Sequence, residues 1–322
     1  MAPKPIVVVG SINLDLVCSV ERIPATGETV FGDNFQTFHG GKGANQAVAA
    51  ARLGYPVSLV GRVGDDAFGT RLRKSLQAAG VNTRRVTTTR SGSSGVALIC
   101  ADSHYQNSIV VVPGANGKLG PADLDKAAPV LRAAGIILAQ LEIPFETVEH
   151  LAVLARRFSV PLMLDPAPGR ALPELLLRKV DFLTPNETES GTICGLAAGK
   201  VNPSAAPKIS RELLRRGVRH VLIKMGDRGA YVATAQGIGV MIPPFKVEAV
   251  DSTGAGDAFN GGLAVALMRG LDFVSAARFA SAVAARSVMR MGAQPSMPAA
   301  REVRKFVSSL SSLNVDQLFP KS

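Results

Sequence analysis

Short runs of consecutive apolar residues alternate along the chain with longer alanine- and leucine-rich stretches. The short runs are rich in β-branched residues and end at turn-forming residues, which predicts strands buried on both faces of a sheet. The predicted core strands are Ile6–Val9, Val57–Val60, Ile136–Ala139, Leu162–Leu164, Phe182–Thr184 and His220–Lys224. The predicted helices between them include Gly43–Leu53, Gly69–Ala79, Ala122–Ala134 and Phe145–Phe158, with Gly54, Gly80, Gly135 and Gly217 placed to end helices. This alternation predicts an α/β fold with three layers, a mostly parallel sheet carrying helices on both faces.

Two stretches depart from the alternation because they read as strand pairs with no helix between the strands. They are Ser11–Val20 with Thr29–Phe38, and Gly95–Ala101 with Asn107–Val112. We predict that they form a small antiparallel β sheet, a lid able to cover a cleft, although an extra edge of the main sheet would give the same pattern. The predicted division is a large α/β domain of residues 1–10, 40–94 and 113–322, and a lid of residues 11–39 and 95–112.

The charge and cysteine content narrow the class of protein. The 322 residues carry a formal net charge of +11, but no block of five like charges occurs, tryptophan is absent and only three tyrosines could stack on bases. This pattern indicates a solvated basic surface and not a nucleic-acid-binding face. Three widely spaced cysteines without a C-x-x-C pair indicate a reducing compartment, which we expect to be the cytoplasm. No stretch approaches the ~18 apolar residues of a membrane span, so we expect no membrane association.

The most informative segment is a turn of small residues, Val250–Gly262, that leads into a predicted helix. Gly254 and Gly256 allow close backbone approach, and the free N–H groups of a helix start favour an anion. The Walker and dinucleotide glycine patterns do not occur in the chain. Asp257 beside these glycines could cap the helix, or could accept the proton of a hydroxyl that attacks a phosphoryl group.

Two segments nearer the N-terminus have the chemistry to bind a polyol. Asn13 and Asp15 alternate with apolar residues, so a strand would place both side chains on one face, where they could bind neighbouring hydroxyls. The Gly40–Asn45 loop opens a helix and carries Lys42 and Asn45 as donors. A half-exposed strand and a flexible loop are the alternative interpretations of these two segments.

Two further segments follow predicted strands and could contact a nucleotide. Asn186–Glu189 could bring its amide and carboxylate toward phosphates or hydrated Mg²⁺, but a polar helix start is an equally good interpretation. Lys224–Gly229 has the composition of a hairpin turn.

Taken in their order along the chain, these segments resemble the motifs of the ribokinase (PfkB-type) family of carbohydrate kinases. The resemblance extends from Val8–Asp15 to Gly292–Ser296. The resemblance implies a ribokinase-like fold, with Asp257 as catalytic base and Gly254, Ala255 and Gly256 as anion hole. The sugar-binding residues that it implies are Asn13, Asp15, Gly41, Lys42, Gly43, Asn45, Glu142 and Asp257. The implied nucleotide-binding residues are Asn186, Glu189, Lys224, Gly226, Gly229, Gly256 and Ser281, with Glu189 acting on Mg²⁺ through water. The implied K⁺ shell, mostly backbone carbonyls, is Asp251, Thr253, Ser287, Arg290, Gly292 and Ser296.

The resemblance also implies the reaction and the assembly. We expect phosphorylation of D-ribose at O5 by ATP with Mg²⁺, activation by K⁺, and a homodimer formed through the lid sheets. Fructose, 2-keto-3-deoxygluconate and 2-deoxyribose are the alternative substrates. A nucleoside is disfavoured because few aromatic rings could sandwich a base, and a non-catalytic sugar sensor or nucleic-acid-binding protein is a further alternative. Two positions depart from the family pattern: Ser281 replaces a frequent His or Asn near the adenine, and Lys224 replaces a frequent Thr.

Overall fold

The computed structural model describes residues 3–102, 107–196 and 202–309, which form two β sheets and the helices that pack against them. The strands are β1 (Ile6–Val9), β2 (Asn13–Val20), β3 (Gly32–Gly40), β4 (Val57–Gly64), β5 (Asn82–Thr89), β6 (Gly95–Asp102), β7 (Asn107–Val112), β8 (Ile136–Ala139), β9 (Leu162–Leu164), β10 (Phe182–Leu183), β11 (His220–Lys224), β12 (Ala230–Thr234) and β13 (Gly239–Ile242). The helices are α1 (Lys42–Arg52), α2 (Ala67–Ala78), α3 (Pro121–Lys126), α4 (Ala128–Ala133), α5 (Phe145–Phe158), α6 (Glu174–Leu177), α7 (Glu187–Ile193), α8 (Ala206–Arg215), α9 (Ala255–Met268), α10 (Phe273–Ser287), α11 (Ala293–Ser296) and α12 (Ala300–Ser308).

The large sheet confirms the predicted α/β fold. Its nine strands run in the order β13-β12-β11-β10-β9-β8-β1-β4-β5. The strands from β11 to β5 are parallel, and β12 and β13 add an antiparallel edge. Successive side chains of β1 enter two different cores: Ile6 and Val8 pack with α1, α9 and α10 on one face. Val7 and Val9 pack with α5 and α8 on the other. Helices on both faces therefore explain why these strands are continuously apolar.

Two predictions about helix ends were wrong. The helix predicted at 122–134 is two short helices, α3 and α4, which meet at Ala127. Pro129 explains the break, since it has no N–H to donate and its ring would clash with the carbonyl four residues earlier in a continuous helix. Gly135 does not have the positive φ of a helix-ending glycine. It is packed against Met268 with no room for a Cβ atom, and its N–H donates to the Pro5 carbonyl.

The smaller sheet has the strand order β3-β2-β6-β7. Its two hairpins, β2–β3 and β6–β7, are antiparallel as predicted, and they join through a parallel pairing of β2 with β6. Asn13 pairs with Gly40 on one side and with Gly95 on the other, at the end of the sheet where the chain passes to the large sheet. This sheet therefore holds the Asn13 and Asp15 side chains beside the start of α1.

Parallel strands place their carboxyl ends at one edge of the sheet, where ligands bind in open α/β folds. The residues that follow β1, β8, β9 and β10 at this edge include Ser11, Glu142, Asp165 and Asn186. Within the described ranges, no helix has the length and apolar character needed to cross a membrane.

Candidate active site

The first part of the site is the N-terminus of α9. Gly254 precedes this helix with φ 75°, a conformation that favours glycine, and Asp257 lies in its first turn. The Ala255 N–H already donates to the Ser252 carbonyl at 3.1 Å. Among the described residues, no partner accepts from the N–H groups of Gly254, Gly256 or Asp257. These three groups, and not that of Ala255, are therefore the ones free to bind an anion.

The Asp257 carboxylate is 5% exposed and is held by two side-chain amides of α1. Asn45 donates to its Oδ2 at 2.9 Å, and Gln46 donates to its Oδ1 at 3.0 Å. Burial raises the pKa of Asp257, the nearby Asp165 raises it further, and the Lys42 ammonium and the two amides oppose the rise. The carboxylate is thus fixed in position and more basic than an exposed aspartate, which suits a group that accepts a proton.

Lys42, the first residue of α1, supplies positive charge among several carboxylates. Burial by itself lowers the pKa of Lys42, but the charges of Asp257, Asp165, Glu142 and Glu189 outweigh it and raise the pKa. The lysine therefore stays protonated and offsets part of the negative charge of the site.

The Asn13 and Asp15 side chains lie on the same face of β2, as their spacing predicts. The Asp15 carboxylate packs directly on Gly40, where a Cβ atom would overlap it. Burial, together with the charges of Glu142 and Asp257, raises the pKa of Asp15 to about 7. Asn13 is 4% exposed, and its Oδ1 accepts from Asn116 at 2.7 Å. Its amide nitrogen is therefore the end that is free to donate.

Glu142 and the glycine loop complete this side of the site. The Glu142 Oε2 atom accepts from the Ser11 hydroxyl at 2.6 Å and from the Lys42 N–H at 3.2 Å. Gly41 has φ 87°, and a Cβ atom there would lie 2.7 Å from the Asn13 backbone nitrogen. Gly43 packs on the Gly10 backbone in the same way. These glycines let the start of α1 approach β1 and β2, so the structure brings the predicted sugar-binding residues together.

A cavity of about 800 Å³ opens on the other side of Asp257. It is lined by residues from α7, the β11–β12 turn, the start of α9 and the middle of α10. The predicted residues among them are Lys42, Asn186, Glu189, Lys224, Gly226, Gly229, Gly254, Ala255, Gly256, Asp257 and Ser281. The predicted nucleotide-binding residues therefore all border one cavity, and Asp257 lies between this cavity and the polar side chains of β2 and α1.

Asn186 and Glu189 form a reciprocal cap at the start of α7. The Asn186 side chain accepts from the Glu189 N–H at 2.8 Å, and Glu189 accepts from the Asn186 N–H at 2.7 Å. Burial raises the pKa of Glu189, with the Lys224 ammonium opposing the rise. The capping interpretation of these residues is therefore correct, and both residues also line the cavity.

Lys224 at the end of β11 pairs with Asp165 at 2.9 Å. The turn that follows it, with positive φ at Gly226 and Gly229, joins antiparallel strands β11 and β12, which confirms the predicted hairpin. Lys224 therefore places an ammonium group at the wall of the cavity.

The residues of the implied K⁺ shell lie in two loops, which one carboxylate connects, and at the ends of the helices α10 and α11 next to the second loop. Asp251 accepts from the Thr253 N–H at 2.8 Å and from the Gly292 N–H at 2.7 Å. Ser287 is the last residue of α10 and Arg290 lies on the second loop, where its N–H donates to the Ser287 carbonyl at 3.1 Å. The Arg290 guanidinium binds Glu302, so only its backbone is directed toward the loops. The Ser296 hydroxyl donates to the Ala293 carbonyl within α11 at 2.8 Å.

Four buried polar residues at the site were missed by the sequence analysis. They are Gln46, Asn116, Gln140 and Asp165. Asn116 accepts from the Ile12 N–H at 2.9 Å and donates to Asn13, so it fixes the orientation of the Asn13 amide. Gln46, Gln140 and Asp165 form a hydrogen-bonded chain that reaches Asp257. The only signal in the sequence is the position of Gln140 and Asp165 just after predicted strands.

Comparison with known proteins gives consistent matches along the chain. The family model described as pfkB family carbohydrate kinase matches residues 4–300. The ribokinase of Bacillus subtilis (strain 168) is 41% identical over 308 residues, 95% of this chain and 100% of the relative. A deoxyribokinase of Salmonella typhi is 37% identical over 94% of this chain and 98% of its own. The solved structure of Arabidopsis thaliana ribokinase complexed with ribose and ATP superposes with a TM-score of 0.89 at 36% identity, covering 95% of this chain and 99% of that one.

Proposed function

The chain belongs to the pfkB family of carbohydrate kinases, and from this membership we propose that it acts as a ribokinase, transferring the γ-phosphoryl group of ATP to O5 of D-ribose. The observation that carries the proposal is the position of Asp257. Its carboxylate lies between a cluster of hydroxyl-binding side chains and a cavity of about 800 Å³, next to free backbone N–H groups.

In the proposed reaction, the sugar binds to Asn13, Asp15, Asn45 and Glu142 with its O5 hydroxyl toward Asp257. The carboxylate accepts the O5 proton as O5 attacks the γ-phosphorus, the bond to the β-phosphate oxygen breaks, and ADP leaves. The N–H groups of Gly254 and Gly256 stabilise the charge on the transferred group, with Ala255 completing the turn that aims them.

The cavity has the groups that a nucleotide triphosphate needs. We propose that Lys224, Asn186 and the Gly226–Gly229 turn contact the phosphates and ribose of ATP, with Ser281 near its base. Both Glu189 oxygens already accept from Asn186, at 2.7 and 3.0 Å. This arrangement fits contact with Mg²⁺ through coordinated water better than direct ligation. When bound, Mg²⁺ would neutralise developing charge on the phosphate oxygens.

We further propose that the two loops joined by Asp251 hold K⁺. Their donors are carboxylate and backbone carbonyl oxygens, which are the ligands of a hard cation, and the loop leads directly into the Gly254 turn. The ion would therefore stiffen the anion hole through Thr253. Replacing K⁺ by choline in the assay should lower kcat, and an unchanged kcat would remove this part of the proposal.

The charge of the sugar side favours a neutral sugar. Asp15 lies close enough to Glu142 and Asp257 for their charges to interact, and the Lys42 ammonium interacts with Glu142 and Asp257, so the carboxylate of 2-keto-3-deoxygluconate would be repelled. The similar deoxyribokinase makes 2-deoxyribose the nearest competitor. We expect ribose to have the highest kcat/KM when ADP release is measured for ribose, 2-deoxyribose, fructose and 2-keto-3-deoxygluconate at one ATP concentration. A higher kcat/KM for any other sugar rejects the substrate assignment.

Sugar binding should depend on pH through Asp15. Because the pKa of this carboxyl is raised to about 7, it is largely neutral below that pH and ionised above it. An ionised carboxylate accepts stronger hydrogen bonds from hydroxyls. The Kd for D-ribose, measured calorimetrically between pH 5.5 and 8.5, should therefore fall as pH rises through about 7. Asp15→Asn should bind ribose more weakly and show no such inflection, and the same inflection in this variant would contradict the assignment.

We propose that the smaller sheet closes over the sugar and that its outer face forms a homodimer in the cytoplasm. Closure would exclude water, which competes with the sugar for the phosphoryl group. The outer face presents Phe35, Leu98, Val110 and Val112, each at least 44% exposed and all on one side of the sheet by their pairing register. Sedimentation of the wild type should show a dimer and that of Leu98→Arg a monomer. A wild-type monomer at micromolar concentration would reject the interface.

A further inference from the structure

A chain of buried amides and carboxylates lies behind the reacting face of Asp257. The Gln46 side-chain nitrogen donates to Asp257 Oδ1 and to Asp165 Oδ2, both at 3.0 Å. An amide nitrogen carries two hydrogens, so this single group can satisfy one oxygen of each acid. On the far side of Asp165, the Lys224 ammonium binds Oδ1 at 2.9 Å.

The orientation of the Gln46 amide is fixed from its other end. Gln140 donates to Gln46 Oε1 at 2.7 Å, so the oxygen faces Gln140 and the nitrogen must face the two carboxylates. Gln46 is 1% exposed and Gln140 is 0% exposed. Water therefore cannot reach these two amides, so it cannot replace a hydrogen bond that either of them loses. Gly10 packs directly against Gln140, because a Cβ atom at this position would overlap Gln140 Oε1.

The charges around this amide explain why the two acids need it. Lys42 faces both carboxylates, Lys224 faces Asp165, and Asp15 and Glu189 add negative charge on the two sides. Without the Gln46 nitrogen, the facing oxygens of Asp257 and Asp165 would have no donor between them. Two buried carboxylates in that arrangement favour the protonation of one.

We propose that Gln46 is a positioning residue for phosphoryl transfer: it holds the base Asp257 in place and links it, through Asp165, to the Lys224 ammonium on the nucleotide side of the cavity. This inference rests on the proposed function, because it assigns Asp257 as the base. It adds a role for a residue that neither lines the cavity nor belongs to the predicted sugar-binding set.

The test compares Gln46→Leu with the wild type in steady-state kinetics at several pH values. Loss of one hydrogen bond to a charged group predicts a kcat lower by about 10- to 100-fold. The KM values for ribose and ATP should change little, since no contact to either is removed. The acid limb of the kcat profile should move to higher pH, because Asp257 becomes harder to ionise. Gln140→Leu, which frees the amide to rotate, should give a smaller change in the same direction.

Thr147→Val is the matched control, since it removes a buried hydrogen bond of 2.7 Å from α5, which does not line the cavity. It should lower the melting temperature and leave kcat and its pH profile unchanged. A Gln46→Leu enzyme with reduced melting temperature but wild-type kcat and acid limb would overturn the proposal. If that variant does not fold, Gln46→Glu keeps the shape, and a wild-type kcat in it would also overturn the proposal. A wild type inactive on every sugar would instead reject the proposed function.

Discussion

Asp257→Asn should lower kcat for ribose phosphorylation by about 10²- to 10⁴-fold, the usual contribution of a positioned general base. The substitution keeps the size of the side chain and removes the group that accepts the O5 proton. At 1.36 kcal/mol for each tenfold change, the loss corresponds to roughly 3–5 kcal/mol of transition-state stabilisation. The Kd for ribose should change much less, because Asn13, Asp15 and Glu142 are intact. Rapid-quench measurement of the phosphoryl-transfer step checks the prediction without interference from product release.

The alternative for Asp257 is a helix cap, and Asp272 provides the matched control. Asp272 precedes α10, and its carboxylate accepts from the N–H groups of Val274 and Ser275, both at 3.0 Å. Asp272→Asn is therefore the same chemical change at another helix start, with no reacting group nearby. It should cost a little stability and leave kcat unchanged. Equal losses of kcat in the two variants would mean that the charge at Asp257 acts only through the fold.

The large sheet could be predicted from the sequence because its strands are buried on both faces. Ile6–Val9 is fully apolar and the structure leaves every one of these side chains unexposed. The edge strands were harder to predict from the sequence. The sequence analysis missed β5 because Asn82–Thr89 is polar and largely exposed. An edge strand has no second core to fill, so its hydrophobic pattern is weak. The parallel joining of β2 to β6 was likewise not predictable, since both hairpins could pair in several ways.

The residues of the site could be predicted where the neighbouring sequence is itself unusual. They could not be predicted where their role depends only on contact with a residue distant in the chain. Asp257 stands among glycines and Asp15 alternates with apolar residues, so each is marked by its neighbours in the chain. Gln46 lies in an alanine-rich helix with no such mark. Its partners Gln140, Asp165 and Asp257 are 94, 119 and 211 residues away. Contacts over such separations are products of the topology, which single-sequence patterns do not contain.

Gly41→Ala should reduce both stability and activity, because two separate costs meet at this residue. The first is a backbone cost, since φ 87° with ψ 127° is a sparsely populated conformation that costs a residue other than glycine about 1–3 kcal/mol. The second is steric: the new Cβ atom would lie 2.7 Å from the Asn13 nitrogen and 2.9 Å from Ile12 Cα. Overpacking of this kind costs about 1–3 kcal/mol. Chemical denaturation of the variant should therefore show a loss of about 2–6 kcal/mol.

Gly54→Ala separates these costs. Gly54 has φ 80°, close to that of Gly41, but a Cβ atom there would meet nothing within 4 Å. It should lose only the backbone contribution and keep full activity. In Gly41→Ala the clash displaces β2 from the start of α1, and with it Asn13 and Asp15 from the base. A displacement of about 1 Å can cost about 10²-fold in rate, so kcat/KM for ribose should fall by that order. If the two variants lose equal stability and both remain active, the close approach at Gly41 does not position the sugar.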